Sequence, residues 1–151
     1  MRTVVQRVRE ASVTVETRVV GEIESGLLVL VGVTRDDSLR DADVLAQKIS
    51  TMRIFSDAEG KMNLSVSETG GSVLVVSQFT LVGDVRKGRR PSFSSAADPE
   101  QAVPIIDRLV STLRSTGLHV ACGEFGAKMN VRLTNDGPVT FMIDVNDGVV
   151  T

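Results

Sequence analysis

Two strongly apolar runs, the continuous "GLLVLVGV" (26–33) and "SVLVVSQFTLV" (72–82), limit the folds open to this chain more than any other feature. Neither approaches the ~20 residues of a membrane span. The first is too uniformly apolar for a strand with one wet face and reads as a central strand buried on both sides. The second reads as another strongly apolar strand. Around them, residues 4–8 and 12–16 alternate as two short strands, with a further one at 21–23. The period then changes: Ala42, Leu45, Ala46, Ile49 and Met52 recur at helical spacing behind Ser38 as N-cap, with Asp41 three residues later. A second helix is marked by Asp98 as N-cap, Pro99 at the first helical position and Gly117 beyond its end. Its stripe is Ala102, Ile106, Leu109 and Leu113, and Pro104 predicts either a kink or a start nearer Val103. Residues 53–63 read as a strand end running into a turn, and "LHVACGEF" returns to strand. Seven or eight strands and two helices predict one mixed α/β domain over 1–151, mostly antiparallel. Its strongly curved sheets are barrel- or sandwich-like, with the two main helices covering one side.

Composition excludes more than it assigns. The single cysteine, Cys122, rules out an internal disulfide and a cysteine-based metal cage. The N-terminus is alternating and charged, unlike a signal peptide, so a cytoplasmic location is expected and no membrane contact. Five Phe, no Trp, no Tyr and a net charge of −2 argue against DNA binding and against broad, non-specific nucleic-acid binding. Any RNA contact is expected to be local.

The stretch "TNDGPVTF" (134–141) lies between Met129, Val131 and Leu133 on one side and Val139, Phe141, Ile143 and Val145 on the other. Two alternating runs around Asn-Asp-Gly predict a hairpin. The proline is surplus to such a turn: it removes a backbone donor where pairing should resume, and Gly137–Pro138 is a bond that can be cis.

Catalytic groups are scarce. His119 is the only histidine, nothing places a serine beside it, and no ligand spacing or phosphate-binding fingerprint appears. No metal and no cofactor is expected. Hydroxyls, amides and backbone remain. "SQFT", with Ser77, Gln78, Phe79 and Thr80, ends the second apolar run, and these side chains converge only if the strand bulges or turns there. "RKGRRP" carries Arg86, Lys87, Arg89 and Arg90, either a solvated loop or a phosphate contact. "EFGAKMN" sets Phe125 and Met129 around a glycine, as core residues or as a surface for a base.

Taken in order, "QRVREASVTVE", "RIFSDAEGKMNLSV", "SQFTL", "RRPSFS" and "FGAKMNVRLTNDGPVTF" resemble the D-aminoacyl-tRNA deacylase family over essentially the whole chain. The resemblance implies hydrolysis of the ester joining a D-amino acid to the 3′-terminal adenosine of tRNA, and of glycine mischarged on tRNA-Ala. It implies a homodimer in which a cis Gly137–Pro138 enters the active site of the other subunit. It places Ser77, Gln78, Phe79 and Thr80 in the catalytic pocket, Phe125 and Met129 near the adenosine, and Arg7 in support of the Gly-Pro motif. A rigid wall of two carbonyls would reject an L side chain by clash and by unpaired oxygens, while glycine passes.

Two chemical routes stay open: attack by Thr80 Oγ, with no evident base to activate it, or attack by water. In the second, amides around Gln78–Phe79 hold the oxyanion and the ribose 2′-hydroxyl assists. A non-catalytic module that binds the aminoacyl-tRNA end is the alternative function. A general esterase is disfavoured by the missing triad.

Overall fold

The computed structural model describes residues 1–151. A 14-residue strand, β1 (Arg2–Val15), is followed by β2 (Arg18–Ile23), β3 (Gly26–Gly32), α1 (Leu39–Thr51) and the short pair β4 (Phe55–Ser56) and β5 (Met62–Leu64). Then come β6 (Ser72–Ser77), a 3-10 turn (Phe79–Val82), α2 (Pro99–Ser115), β7 (His119–Cys122), β8 (Met129–Asn146) and β9 (Val149–Val150). The main sheet runs β7-β6-β3-β1-β8-β9, with β2 also paired to β1. Only the β3–β6 and β6–β7 pairs are parallel. Neither helix is long and apolar enough to cross a membrane.

The doubly buried strand is observed, and it has a partner of the same kind. In β3, Leu27, Val29 and Val31 join the larger core cluster while Leu28 joins a second, smaller one; in β6, Val73 and Val75 face the first and Leu74 and Val76 the second. The helices cover the first face with Ala42, Leu45, Ala46 and Ile49 from α1, and Ala102, Ile105, Leu109 and Leu113 from α2. Ile106, expected in the α2 stripe, is half-buried beside it. α2 begins at Pro99 and runs through Pro104, so the alternative start near Val103 is not taken. Asp41 accepts from the Ser38 amide and hydroxyl at 2.8 and 2.7 Å, as its place after the N-cap predicts.

The second face has no helix, so the sheet curls to cover it. β1 contributes Val5, beside Met1 just before it, to the larger cluster but Val8, Ala11 and Val13 to the smaller. Its two expected short strands are one strand that changes face at a register shift between Val8 and Glu10. β8 does the same. Met129, Val131 and Leu133 pack on the smaller cluster, whereas Val139, Ile143 and Val145 belong to the larger.

The predicted hairpin is therefore a correction. Both flanks of "TNDGPVTF" pair with β1, not with each other: Asn135 is opposite Val8 and Thr140 opposite Gln6. Residues 136–139 stand against the single residue Arg7 as a large bulge. β8 advances five residues while β1 advances two, an odd surplus, which turns the side-chain alternation over. Period-two flanks are common to a hairpin and to a bulged strand. The run expected to be strand over 72–82 likewise ends at Ser77.

Candidate functional site

The parallel pair β3–β6 ends at Val31–Ser77. The last rung is the Gln78 amide donating to the Val31 carbonyl at 2.7 Å, after which the chain tightens into the 3-10 turn. A pocket of about 500 Å³ opens there, at the carboxyl end of parallel strands, lined mainly by apolar groups. Ser77, Gln78 and Phe79 form one side, Phe125 and Met129 another, and Pro99, Ala102 and Ile106 of α2 a third. The turn is what gathers the "SQF" side chains, which a straight strand would divide between two faces.

Not every expected residue lines this pocket. Thr80 does not; it is exposed, and its hydroxyl accepts a short bond from the Gln78 side-chain amide. No lysine or histidine reaches that hydroxyl. Among the backbone donors, the Gln78 amide is occupied by Val31, whereas a 3-10 turn leaves its first amides, here those of Phe79 and Thr80, without acceptors inside the turn. The α2 wall was not read from the sequence, since its residues looked only like a helical core stripe.

In the basic segment, Asp84 and Ser92 exchange backbone bonds of 2.7 and 2.8 Å that close the loop. Arg86 is committed: its guanidinium donates to both Asp84 carboxylate oxygens at 2.9 and 2.7 Å. These bonds, with one from the Arg86 amide, hold the Asp84 carboxyl down at about 2. Lys87, Arg89 and Arg90 are exposed and form no ion pair, so three of the four expected cations are free. None of the four lines the pocket. Phe93, just after the loop, sets its ring edge-on to Phe79 with centroids 4.9 Å apart.

The bulge is built from below. Arg7 is 8% exposed, and its Nη1 donates to the Ile54 carbonyl at 2.6 Å. Its Nε donates to the Asp136 carbonyl at 3.2 Å and lies 3.1 Å from the Asp136 carboxylate, which also meets Arg9 at 3.2 Å. The Asn135 side-chain amide donates to the Arg7 and Val139 carbonyls at 2.9 and 3.0 Å, joining the two feet of the bulge. Above them Gly137–Pro138 is cis and both residues are exposed. Gly137 has φ of 127°, and a Cβ there would stand 3.2 Å from Arg7 Nη2. Only glycine suits that position. Asn135 and Asp136 were not singled out from the sequence, where they looked like ordinary turn residues. Neither Gly137 nor Pro138 lines the pocket of its own chain.

Residues 4–144 match the family described as D-Tyr-tRNA(Tyr) deacylase. A D-aminoacyl-tRNA deacylase of Chloroflexus aurantiacus is 59% identical over 144 residues, covering 95% of this chain and 90% of that protein. Among solved structures, a c-Myc DNA unwinding element binding protein superposes with a TM-score of 0.89 at 38% identity, over 96% of this chain and 99% of its own. A probable eukaryotic D-amino acid tRNA deacylase superposes with a TM-score of 0.82 at 20% identity, over 95% and 98%, a likeness of fold.

Arg7→Lys is expected to lower stability by about 1–3 kcal/mol, because an ammonium cannot serve the Ile54 carbonyl and the Asp136 carbonyl and carboxylate together. Urea unfolding measures this; an unchanged midpoint contradicts the assigned contacts.

Proposed function

Because this chain belongs to the D-Tyr-tRNA(Tyr) deacylase family, we propose that its pocket and its bulge act together, in two copies of the chain, to hydrolyse D-aminoacyl-tRNA and spare the L form. The protein is a D-aminoacyl-tRNA deacylase, a hydrolase of the aminoacyl ester. In the proposed arrangement the 3′-terminal adenosine enters between Phe125 and Met129. Water attacks the ester carbonyl carbon, the bond to the ribose oxygen breaks, and tRNA leaves with its hydroxyl restored. The developing oxyanion is met by the free Phe79 amide, in place of the Gln78 amide that the sheet uses. The ribose 2′-hydroxyl orients the water.

The observation that carries this reading is the separation of the two motifs. Within one chain, Gly137 and Pro138 lie outside the pocket, exposed on a bulge that Arg7, Asn135 and Asp136 hold firmly. A tip so well supported and so poorly covered suits insertion into a second copy. There the two carbonyls would stand where an L side chain must project, and a glycyl group, as on mischarged tRNA-Ala, would pass. Selection by exclusion needs no contact with the side chain, which suits an enzyme for many D-amino acids.

Matched D- and L-aminoacyl-tRNA, incubated with the protein, give free amino acid from the D form alone. Release from both would indicate a general esterase, and binding without release an end-binding module. Thr80→Val retains substantial activity, since its hydroxyl has no base; near-total loss with binding intact would make Thr80 the nucleophile. Neutralising Lys87, Arg89 and Arg90 together raises KM for tRNA and flattens its salt dependence. No change in either would return the segment to a solvated loop.

A further inference from the structure

The Phe79–Phe93 pair has an outer side that the pocket does not use. Phe79 is 57% and Phe93 37% exposed, although their rings meet edge to face at 64°. Only Phe79 lines the pocket, so Phe93 lies one ring further out. Its position is fixed from beneath: a Cβ on Gly83 would come within 2.9 Å of Phe93 Cε1, so the ring rests against bare backbone. It is also fixed in sequence, directly after a loop whose ends Asp84 and Ser92 tie together. That loop displays Lys87, Arg89 and Arg90 without carboxylate partners, in a chain that is otherwise acidic.

We propose that Phe93 is a stacking platform for the nucleotide next to the terminal adenosine, with Lys87, Arg89 and Arg90 taking the phosphates that lead to it. The occupant is the single-stranded 3′ end of the substrate RNA. An aromatic face accepts any base, and neighbouring cations accept the backbone, which is how unpaired strands are held without sequence reading. A strand leaving the pocket over Phe79 meets Phe93 next and the cations beyond it. The inference rests on the reading that the pocket receives the terminal adenosine. Against it stands a purely supporting role, with Phe93 holding the Phe79 ring in place.

Binding of the trinucleotide CCA and of adenosine 5′-monophosphate, followed by NMR titration at one salt concentration, separates the two. Wild-type protein binds CCA more tightly than the mononucleotide. Phe93→Leu, which keeps an apolar contact with Phe79 and Gly83, weakens CCA by roughly five- to twentyfold. It leaves the mononucleotide within about twofold, and Phe93→Tyr restores CCA binding. Equal weakening of both ligands would show a propping role and overturn the platform. So would an unchanged CCA affinity in Phe93→Leu, or wild-type protein that binds CCA no better than the mononucleotide. Phe93-dependent CCA binding in a protein that hydrolyses no D-aminoacyl-tRNA would sink the hydrolytic reading and leave the platform standing.

Discussion

Burying β3 and β6 on both faces is the constraint from which the rest of the molecule follows. Strands that carry Leu28 and Leu74 on one side and Val29 and Val75 on the other need two cores, and only one can be roofed by α1 and α2. The second is closed by the sheet itself, as β1 and β8 cross from one core to the other. A strand can change face only by taking in an odd number of extra residues. An odd surplus in β8 is thus required by the fold before any chemistry is considered, and the exposed tip of the larger bulge that supplies it at 136–139 is what the proposed function uses.

The same constraint builds the pocket. Parallel strands buried on both sides end together, and the chain must leave them sharply. At Gln78 it does so through a 3-10 turn, which turns Phe79 outward and frees two amides, while the start of α2 is held across the opening by the Ala97 amide donating to the Val33 carbonyl just after β3. The site therefore depends on backbone geometry more than on acidic or basic side chains. That fits a reaction on an activated ester, where orientation and a few oriented donors do most of what is needed. In the proposed arrangement, rejection of the L form falls to different atoms, on a different chain, so selectivity and turnover would be altered separately.

Much of this was legible in the residues. The helix limits followed from Ser38, Asp98, Pro99 and Gly117, and the buried strand from its unbroken apolar run. The family resemblance rested on whole motifs. The expected hairpin has a plain physical source: local periodicity reports which residues alternate, not which strand they pair with. "TNDGPVTF" looked like a hairpin because a bulged strand has the same flanks, and only the shared partner β1 distinguishes them. Residues 78–82 looked like strand because a 3-10 turn can be equally apolar. Arg86 looked like a free cation because its commitment to Asp84 is a matter of side-chain geometry. Asn135 and Asp136 went unread because a polar residue that braces a bulge has the composition of one that merely turns.

The proposal that one chain's bulge completes the other's pocket is tested most directly by mixing two impaired variants. Pro138→Gly loosens the tip and should let L-aminoacyl-tRNA be hydrolysed alongside the D form. Phe79→Glu places a charge in the pocket and should hydrolyse neither. Adding Phe79→Glu chains to Pro138→Gly chains, with time for subunit exchange, is predicted to suppress hydrolysis of the L form while the D form continues to turn over. Each mixed pair would then join an intact pocket to an intact bulge. If hydrolysis of the L form is undiminished at every mixing ratio, although exchange is verified, the bulge does not act across subunits.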